Sequence, residues 1–463
     1  MKALKEKCGI FGAWNVPEAA HITYLGLFAL QHRGQEGAGI IASDHGRFRG
    51  RRGEGLVSQV FKKGSLEDLK GERAIGHVRY STAGGNSLKN LQPVWVESSN
   101  GDMAVAHNGT LTNALSLRRE LEAEGSVFHS YLDTEVILHL MAKAKGSPKE
   151  RLMKALERVE GAFSLLVFVR DGEKTRLFAV KDPHGFRPLA LGRWNQGFVL
   201  ASESCAFDLI GANFLRELEP GEVLEFKDAG FESDRLSLKV TPAPCIFEWI
   251  YFSRPDSFVF NQSVYEVRKS LGEILAEKDQ QQGLKADLVM GVPDSGIPAA
   301  IGYAQKSGLP FEMGLIRNHY IGRTFIQPHQ EIRDFSVKIK QNPLPNSLRG
   351  KSIVVVDDSI VRGTTSKKIM ALLREAGAAQ IHLRVSAPPT KAPCYYGIDT
   401  PTKNQLIAAN LNLSQITDFV GADSLAYLSV EDIYQKLKPS SKMCDACFTE
   451  NYPVEPKDIS IRP

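Results

Sequence analysis

The stretch VVVDDSIVRGTTS at residues 354–366 decides the fold of the C-terminal half. Its β-branched run has the stiffness of a buried strand and ends in two adjacent carboxylates, Asp357 and Asp358. The turn Arg362, Gly363, Thr364, Thr365, Ser366 then leads into a helical pattern with Ile369, Leu372 and Leu373 on one face, stopped at Gly377. Such a turn offers backbone N–H groups and hydroxyls to a phosphate, and the helix that follows adds its positive dipole end. Two neighbouring aspartates repel one another unless they accept vicinal hydroxyls or steady a divalent cation. The ordered combination points to a pentose phosphate held at the C-terminal edge of a parallel sheet, where an isolated acidic pair would be an ordinary turn.

Outward from that stretch, helical and buried-strand patterns alternate. Helices are expected at 264–281 and 296–306, and strands at 286–292, 353–356 and 380–386. This is a βαβ series and implies an α/β domain with a parallel sheet. TPAPC at 241–245 carries two prolines and reads as the linker in front of it. Upstream, short strands are expected at 9–14, 37–42, 74–81, 103–107, 162–169, 177–180 and 198–202, interrupted by helices at 22–32, 113–124, 134–145 and 149–159. That half reads as an α+β layered domain, two sheets with helices outside. The expected division is a leader at 1–7, a first domain at 8–240, a second at 241–440 and a terminal segment at 441–463.

At 463 residues the chain is too long for one core, and two larger domains fit best. Hydrophobic content of 43% and charged content of 24% are ordinary for a globular protein. No apolar run approaches the roughly 20 residues of a membrane span, and no apolar region follows the lysine-rich start, so a cytoplasmic protein is expected. A net charge of +4 is too weak and dispersed to argue for nucleic acid, and a local anionic ligand suffices to explain it.

The six cysteines, at 8, 205, 245, 394, 444 and 447, are too sparse for a disulfide framework, so metal or catalytic roles come first. Cys205 reads as a core residue. Cys8 opens CGIFG after seven residues. Before a strand it reads as a small buried hydrophobe, or else as a nucleophile exposed by cleavage after Lys7, whose own α-amino group, with a reference pKa of roughly 8, takes the thiol proton. Cys444 and Cys447 form a CxxC pair which, with Cys245 and Cys394, could bind zinc or an iron-sulfur cluster, and thiolate count does not choose. The segment at 317–340 carries five Lys or Arg against two Asp or Glu, with several aromatics and no clear period. It suits a lid over a polyanion, with Arg317, Tyr320, Arg323 and Arg333 as candidate contacts.

The C-terminal half resembles the type I phosphoribosyltransferases, whose signature for 5-phosphoribosyl 1-pyrophosphate (PRPP) looks like VVVDDSIVRGTT. The resemblance implies that Asp357 and Asp358 meet the ribose hydroxyls and the Mg2+ environment, and that Arg362 to Ser366 cradle the 5-phosphate. GVPDSGIPAA at 291–300 would be the pyrophosphate loop, with Ser295 on its magnesium side. The N-terminal half resembles the N-terminal-nucleophile (Ntn) glutamine amidotransferases, with their αββα layers, through CGIFG, LQHRGQEGAG, GHVRYSTAG, HNGTLTN, DTEV and KDPHGFRPL. Carried over, Cys8 attacks the glutamine amide and forms a thioester, Asn108 and the Gly109 N–H hold the oxyanion, Arg79 pairs with the substrate α-carboxylate and Asp133 takes its α-ammonium.

Together the halves resemble the glutamine PRPP amidotransferases, and the cysteine contexts resemble their cluster-bearing branch. That implies a structural 4Fe-4S cluster on Cys245, Cys394, Cys444 and Cys447. It also implies ammonia displacing pyrophosphate from C1 of PRPP in the first committed step of purine synthesis, a homotetramer, and feedback by purine nucleotides. Other amidotransferases of the same nucleophile class would need an ATP-pyrophosphate loop or sugar isomerase domains, and neither is found. A PRPP-sensing regulator would keep the phosphate loop without needing Cys8, HNG and Asp133 together.

Overall fold

A computed structural model describes residues 8–80, 88–98, 101–228, 230–318 and 341–458. The strand Gly9–Trp14 shows how the first half is layered. Successive side chains point to opposite faces, so Ile10 and Trp14 enter a core with Leu166, Phe168 and Leu200, while Phe11 and Ala13 enter another with Ala20 and Leu27. All six residues are buried, so this strand is covered on both sides.

It lies in the middle of a seven-stranded sheet ordered Asn213–Glu217, Ala190–Trp194, Gly197–Ala201, Gly9–Trp14, Arg73–Arg79, Gly37–Asp44, Arg47–Glu54. A six-stranded sheet, Gly230–Arg235, Glu222–Lys227, Lys174–Lys181, Gly161–Asp171, Met103–Leu111, Val94–Val96, packs against it. Every pairing in the two sheets is antiparallel. The helix Ala19–Ala29 covers the outer face of the first sheet. Thr134–Lys143 and Pro148–Leu156 cover the second. These are the expected αββα layers.

Six strands here were not expected from sequence, and four of them, Arg47–Glu54, Val94–Val96, Asn213–Glu217 and Gly230–Arg235, are sheet edges. Arg47–Glu54 and Gly230–Arg235 bury little and carry charge, so they lack the apolar alternation that marks a strand, and Val94–Val96 is only three residues long. Met103–Leu111 runs past the expected stop at 107, because its pairing with Gly161–Asp171 continues through Asn108 and Gly109.

In the second half four strands, Leu288–Gly291, Ser352–Asp357, Gln380–Val385 and Ser424–Tyr427, form a parallel sheet in that order. The helices Val264–Gln281 and Ile297–Ser307 pack together, and Thr364–Glu375 follows the aspartate pair as the helical pattern predicts. The last described residues return to the first half. Asp458 accepts the Leu115 and Ser116 N–H groups at 2.8 and 3.1 Å, satisfying donors that the start of the helix Ala114–Ala123 leaves open. Among the described residues no helix is long and apolar enough to cross a membrane.

Candidate active sites and cysteine centre

Cys8 sits buried at the start of its strand, its Sγ 3.9 Å from the Tyr80 carbonyl. Arg79 ends the neighbouring strand, is buried, and donates to the Asn90 carbonyl. Burial pushes its guanidinium down, opposed by the charges of Cys8, Glu36 and Asp133. Asp133 caps the helix Thr134–Lys143, accepting Thr134 N–H at 2.8 Å, and its other oxygen accepts Leu111 N–H at 2.9 Å.

Asn108 donates through Nδ2 to Ser202 Oγ at 3.4 Å, and the same hydroxyl accepts Ile10 N–H at 3.0 Å, tying the strand of Asn108 to that of Cys8. Gly109 has φ +151°, and a Cβ there would stand 2.0 Å from the Ala162 carbonyl oxygen, so only glycine fits. The preceding His107 is locked by Thr134 Oγ1 at 3.0 Å and the Ala162 carbonyl at 3.1 Å. His77 Nε2 reaches the His107 carbonyl at 3.1 Å. Burial, aided by the Arg79 charge, pushes the His77 pKa down to about 3, so the ring stays neutral and donates through Nε2.

In the second half Asp357 closes its strand and Asp358 follows, both buried. Ser295, one strand away, donates to Asp358 Oδ2, and Ser359 Oγ donates to Oδ1 at 2.5 Å. Burial pushes the Asp357 carboxyl well above its ordinary value, with the Asp358 charge adding to it. Burial raises Asp358 too, against the two serine hydrogen bonds and the charge of Arg268. Gly363 caps the next helix at φ +72°, where a Cβ would strike Ile407. Thr364, Thr365 and Ser366 form the first turn of that helix, and Arg362 donates to Gln405 at 2.7 Å. Arg317 pairs with Asp294 in the loop before Ser295. Tyr320, Arg323 and Arg333 lie outside the described residues, as do residues 1–7.

Cys245, Cys394, Cys444 and Cys447 line one cavity with Phe186, Arg187, Tyr396 and Tyr452. Backbone bonds gather the three segments: Ile246 N–H to the Cys444 carbonyl at 3.2 Å, Cys444 N–H to Pro244 at 2.8 Å, and Lys391 and Ala392 N–H to the Cys447 carbonyl at 2.9 and 3.0 Å. Burial pushes the Cys245 thiol up to about 11 and raises those of Cys444 and Cys447 well above their ordinary value, with neighbouring cysteines contributing in each case. A sulfur-lined cavity of this kind holds four soft donors that a cationic centre would convert to thiolates. Among the described residues no three His, Cys, Asp or Glu groups cluster tightly enough to hold a metal ion. Cys205 lies apart, buried beside Glu203.

Sequence reasoning missed a buried ion network between these places. Arg33 grips Glu248 at 2.8 and 3.0 Å and Glu203 at 2.5 Å, and its Nε donates to the Cys8 carbonyl at 3.3 Å. Arg187 Nη1 holds the same Glu248 at 2.9 Å. Burial alone would raise both carboxyls, but their hydrogen-bonded partners hold them below the usual range: His32 and Arg33 at Glu203, Arg33 and Arg187 at Glu248. LQHRG and KDPHGFRPL contained Arg33 and Arg187, but Glu248 has no local signature.

A family profile of the glutamine amidotransferase domain matches residues 77–208, and one of the phosphoribosyl transferase domain matches residues 263–406. The chain is 46% identical to the amidophosphoribosyltransferase of Bacillus subtilis strain 168, covering 100% of this chain and 97% of that protein. It is 52% identical to the chloroplastic amidophosphoribosyltransferase 1 of Arabidopsis thaliana, covering 99% and 80%. The solved structure of the B. subtilis glutamine phosphoribosylpyrophosphate amidotransferase, complexed with ADP and GMP, superposes with a TM-score of 0.92 at 45% identity over 98% of this chain and 99% of that one. Similarity along the entire length embraces both halves in one order, and the chain therefore belongs to the amidophosphoribosyltransferases, glutamine-dependent phosphoribosyltransferases of purine biosynthesis.

Proposed function

We propose that this chain hydrolyses glutamine at Cys8 and passes the ammonia to C1 of PRPP bound at Asp357 and Asp358, displacing pyrophosphate to give 5-phosphoribosylamine. The observation that carries the division of roles is the coexistence of two constellations: Cys8 beside the strand end of Arg79, tied through Ser202 to the strand that carries Asn108 and is bonded to Asp133, and Ser295 bonded to Asp358 ahead of the Gly363 turn.

Cleavage after Lys7 frees the Cys8 α-amino group to take the thiol proton. The sulfur adds to the glutamine side-chain carbonyl, and Asn108 Nδ2 and the Gly109 N–H receive the oxyanion. Collapse, with the Cys8 α-ammonium returning its proton to the leaving nitrogen, expels ammonia and leaves a glutamyl thioester, which water hydrolyses to glutamate. Arg79 holds the substrate α-carboxylate and Asp133 its α-ammonium. In the other half Asp357 and Asp358 accept the ribose hydroxyls, and Arg362 to Ser366 with the helix N-terminus hold the 5-phosphate.

Mg2+ belongs beside Asp357, Asp358 and Ser295, where two buried carboxylates raised by desolvation gain from a cation; when bound it neutralises charge on the departing pyrophosphate. Cys245, Cys394, Cys444 and Cys447 hold a 4Fe-4S cluster, whose contribution is to staple linker, loop and terminus together. Four cysteines lining one shared cavity match a four-iron cluster, which takes one thiolate for each iron. Zinc without iron or sulfide in anaerobically purified protein would overturn this. Purine nucleotide feedback is supported by the ADP and GMP of the B. subtilis complex. We further place the protein as a homotetramer in a cytoplasmic compartment, the plant relatives being named chloroplastic.

Two variants test the division of labour. Cys8→Ala is expected to lose glutamine-driven product and keep synthesis from added ammonia, and loss of both refutes separable sites. Asp358→Ala is expected to lose product from either nitrogen donor, and wild-type turnover with ammonia removes Asp358 from the sugar site.

A further inference from the structure

Arg187 stands where the cysteine cavity meets the glutamine half. It is buried, and it is the one cationic side chain among the described residues lining that cavity. Its guanidinium faces both ways. Nη1 holds Glu248, while Nε and Nη2 both donate to the Tyr396 carbonyl at 3.2 and 3.1 Å. Tyr396 follows Cys394 by two residues, its N–H directed at the Cys394 sulfur at 3.4 Å, and its ring stacks on Phe186 at 4.3 Å. The next residue, Gly397, has φ +115°, and a Cβ there would stand 3.2 Å from Gly109 Cα and 3.3 Å from Arg187 Nη2. The loop that carries a cysteine of the cavity is thus laid directly on the glycine proposed for the oxyanion hole. Through Glu248 and Arg33 the same guanidinium is linked to the Cys8 carbonyl.

We propose that Arg187 is a positioning residue for the glutamine half-reaction, compensating the negative charge of the group held by the four cysteines while pinning the Tyr396–Gly397 loop against Gly109. The charge half of this rests on the cluster reading above; the positioning half does not. Four thiolates around a cluster give a net anion in a low-dielectric wall, and a buried anion requires a buried cation. A planar guanidinium can hold a carboxylate and a carbonyl together, which an ammonium cannot reproduce. Displacing a reacting-site backbone by about 1 Å costs on the order of 10²-fold in rate.

The test uses full-length, anaerobically purified protein and its Arg187→Gln, Arg187→Lys and Gly397→Ala variants. Iron and sulfide content, cluster midpoint potential, glutamine kcat and KM, and ammonia-dependent synthesis are measured. Arg187→Gln is expected to lower glutamine kcat about 10²-fold with KM within about 3-fold, to leave ammonia-dependent synthesis within about 3-fold, and to move the cluster potential to more negative values. Arg187→Lys restores the potential but not kcat. Gly397→Ala, which keeps the guanidinium charge while its methyl presses on Gly109 and on Arg187 Nη2, lowers kcat with a smaller change of potential than Arg187→Gln and stands in if the arginine variants fail to fold. Glutamine kcat within about 3-fold of wild type in Arg187→Gln, or equal loss of both nitrogen sources, overturns the positioning role. An unchanged potential in Arg187→Gln overturns the charge role. Wild-type protein devoid of iron and sulfide overturns the cluster reading and the charge role with it, and the kcat against KM split still decides positioning.

Discussion

Gly109→Ala separates geometry from chemistry in the glutamine site. At φ +151° a Cβ would lie 2.0 Å from the Ala162 carbonyl oxygen, 2.6 Å from its carbon and 2.9 Å from His107 Nε2. The Ala162 carbonyl is fixed backbone in the central strand of the six-stranded sheet, and His107 is clamped on both nitrogens, so the residue that must move is 109 itself. Holding alanine in this region costs about 1–3 kcal/mol, which lowers the melting midpoint by roughly 2–4 °C per kcal/mol for a domain of about 200 residues. Moving the N–H also removes one oxyanion donor, worth about 10²–10³ in kcat. Glutamate release should therefore fall about 10²–10³-fold while glutamine KM changes little and ammonia-dependent synthesis persists. Asn108→Ala deletes the other donor without the Cβ clash and should give a similar kcat loss, with melting lowered by the lost buried bond to Ser202. Thermal melts, glutamate release and synthesis from ammonium salts read the three quantities. Wild-type glutamine kcat in Gly109→Ala would refute the oxyanion assignment, whatever the melting midpoint does.

His77 supplies a pH signature. The folded protein holds its pKa near 3, by burial and then by Arg79, against about 6.5 in the unfolded chain, so the unfolded state gains protons first on acidification. Stability is level in this respect above pH about 6.5 and falls by about 1.4 kcal/mol per pH unit below it, or about 2 kcal/mol at pH 5; His77→Gln should flatten that slope in denaturant titrations at pH 7 and pH 5, and an unchanged slope sinks the assignment. Glu248→Gln leaves Arg33 and Arg187 without their shared fully buried carboxylate, and breaking such a pair costs about 3–5 kcal/mol, read as a lowered unfolding midpoint; an unmoved midpoint would mean the network is dispensable.

The phosphate side was legible because its physics is local. A β-branched strand, two carboxylates and a glycine at φ +72° before a helix are neighbours in sequence and in space, so the pattern at 354–366 carries both fold and site. The αββα layers were legible at most of the buried strands, and lost at the four edges and at the short interior strands Ala190–Trp194 and Glu222–Lys227, whose sequences ALGRW and EVLEFK interrupt the apolar run with charge or glycine. The continuation of Met103–Leu111 through Asn108 and Gly109 was invisible for another reason: glycine and asparagine are poor strand formers, and only the ladder to Gly161–Asp171 keeps them extended.

What no local pattern could disclose is how the two halves meet. Arg33, Glu203, Arg187 and Glu248 lie far apart in sequence and each reads locally as an ordinary polar residue, yet all are at most 2% exposed. Burying such a quartet gains little stability over apolar side chains of the same size, since desolvation offsets most of the attraction. Its position supplies the better reason for it. Apolar packing tolerates small slips between surfaces, whereas a shared carboxylate gripped by two guanidinium groups fixes direction and distance at once. Placed between the Cys8 carbonyl and the loop that carries Cys394, that rigidity holds the nucleophile, Gly109 and the cysteine cavity in one frame, so disturbance at any of the three should be felt at the others.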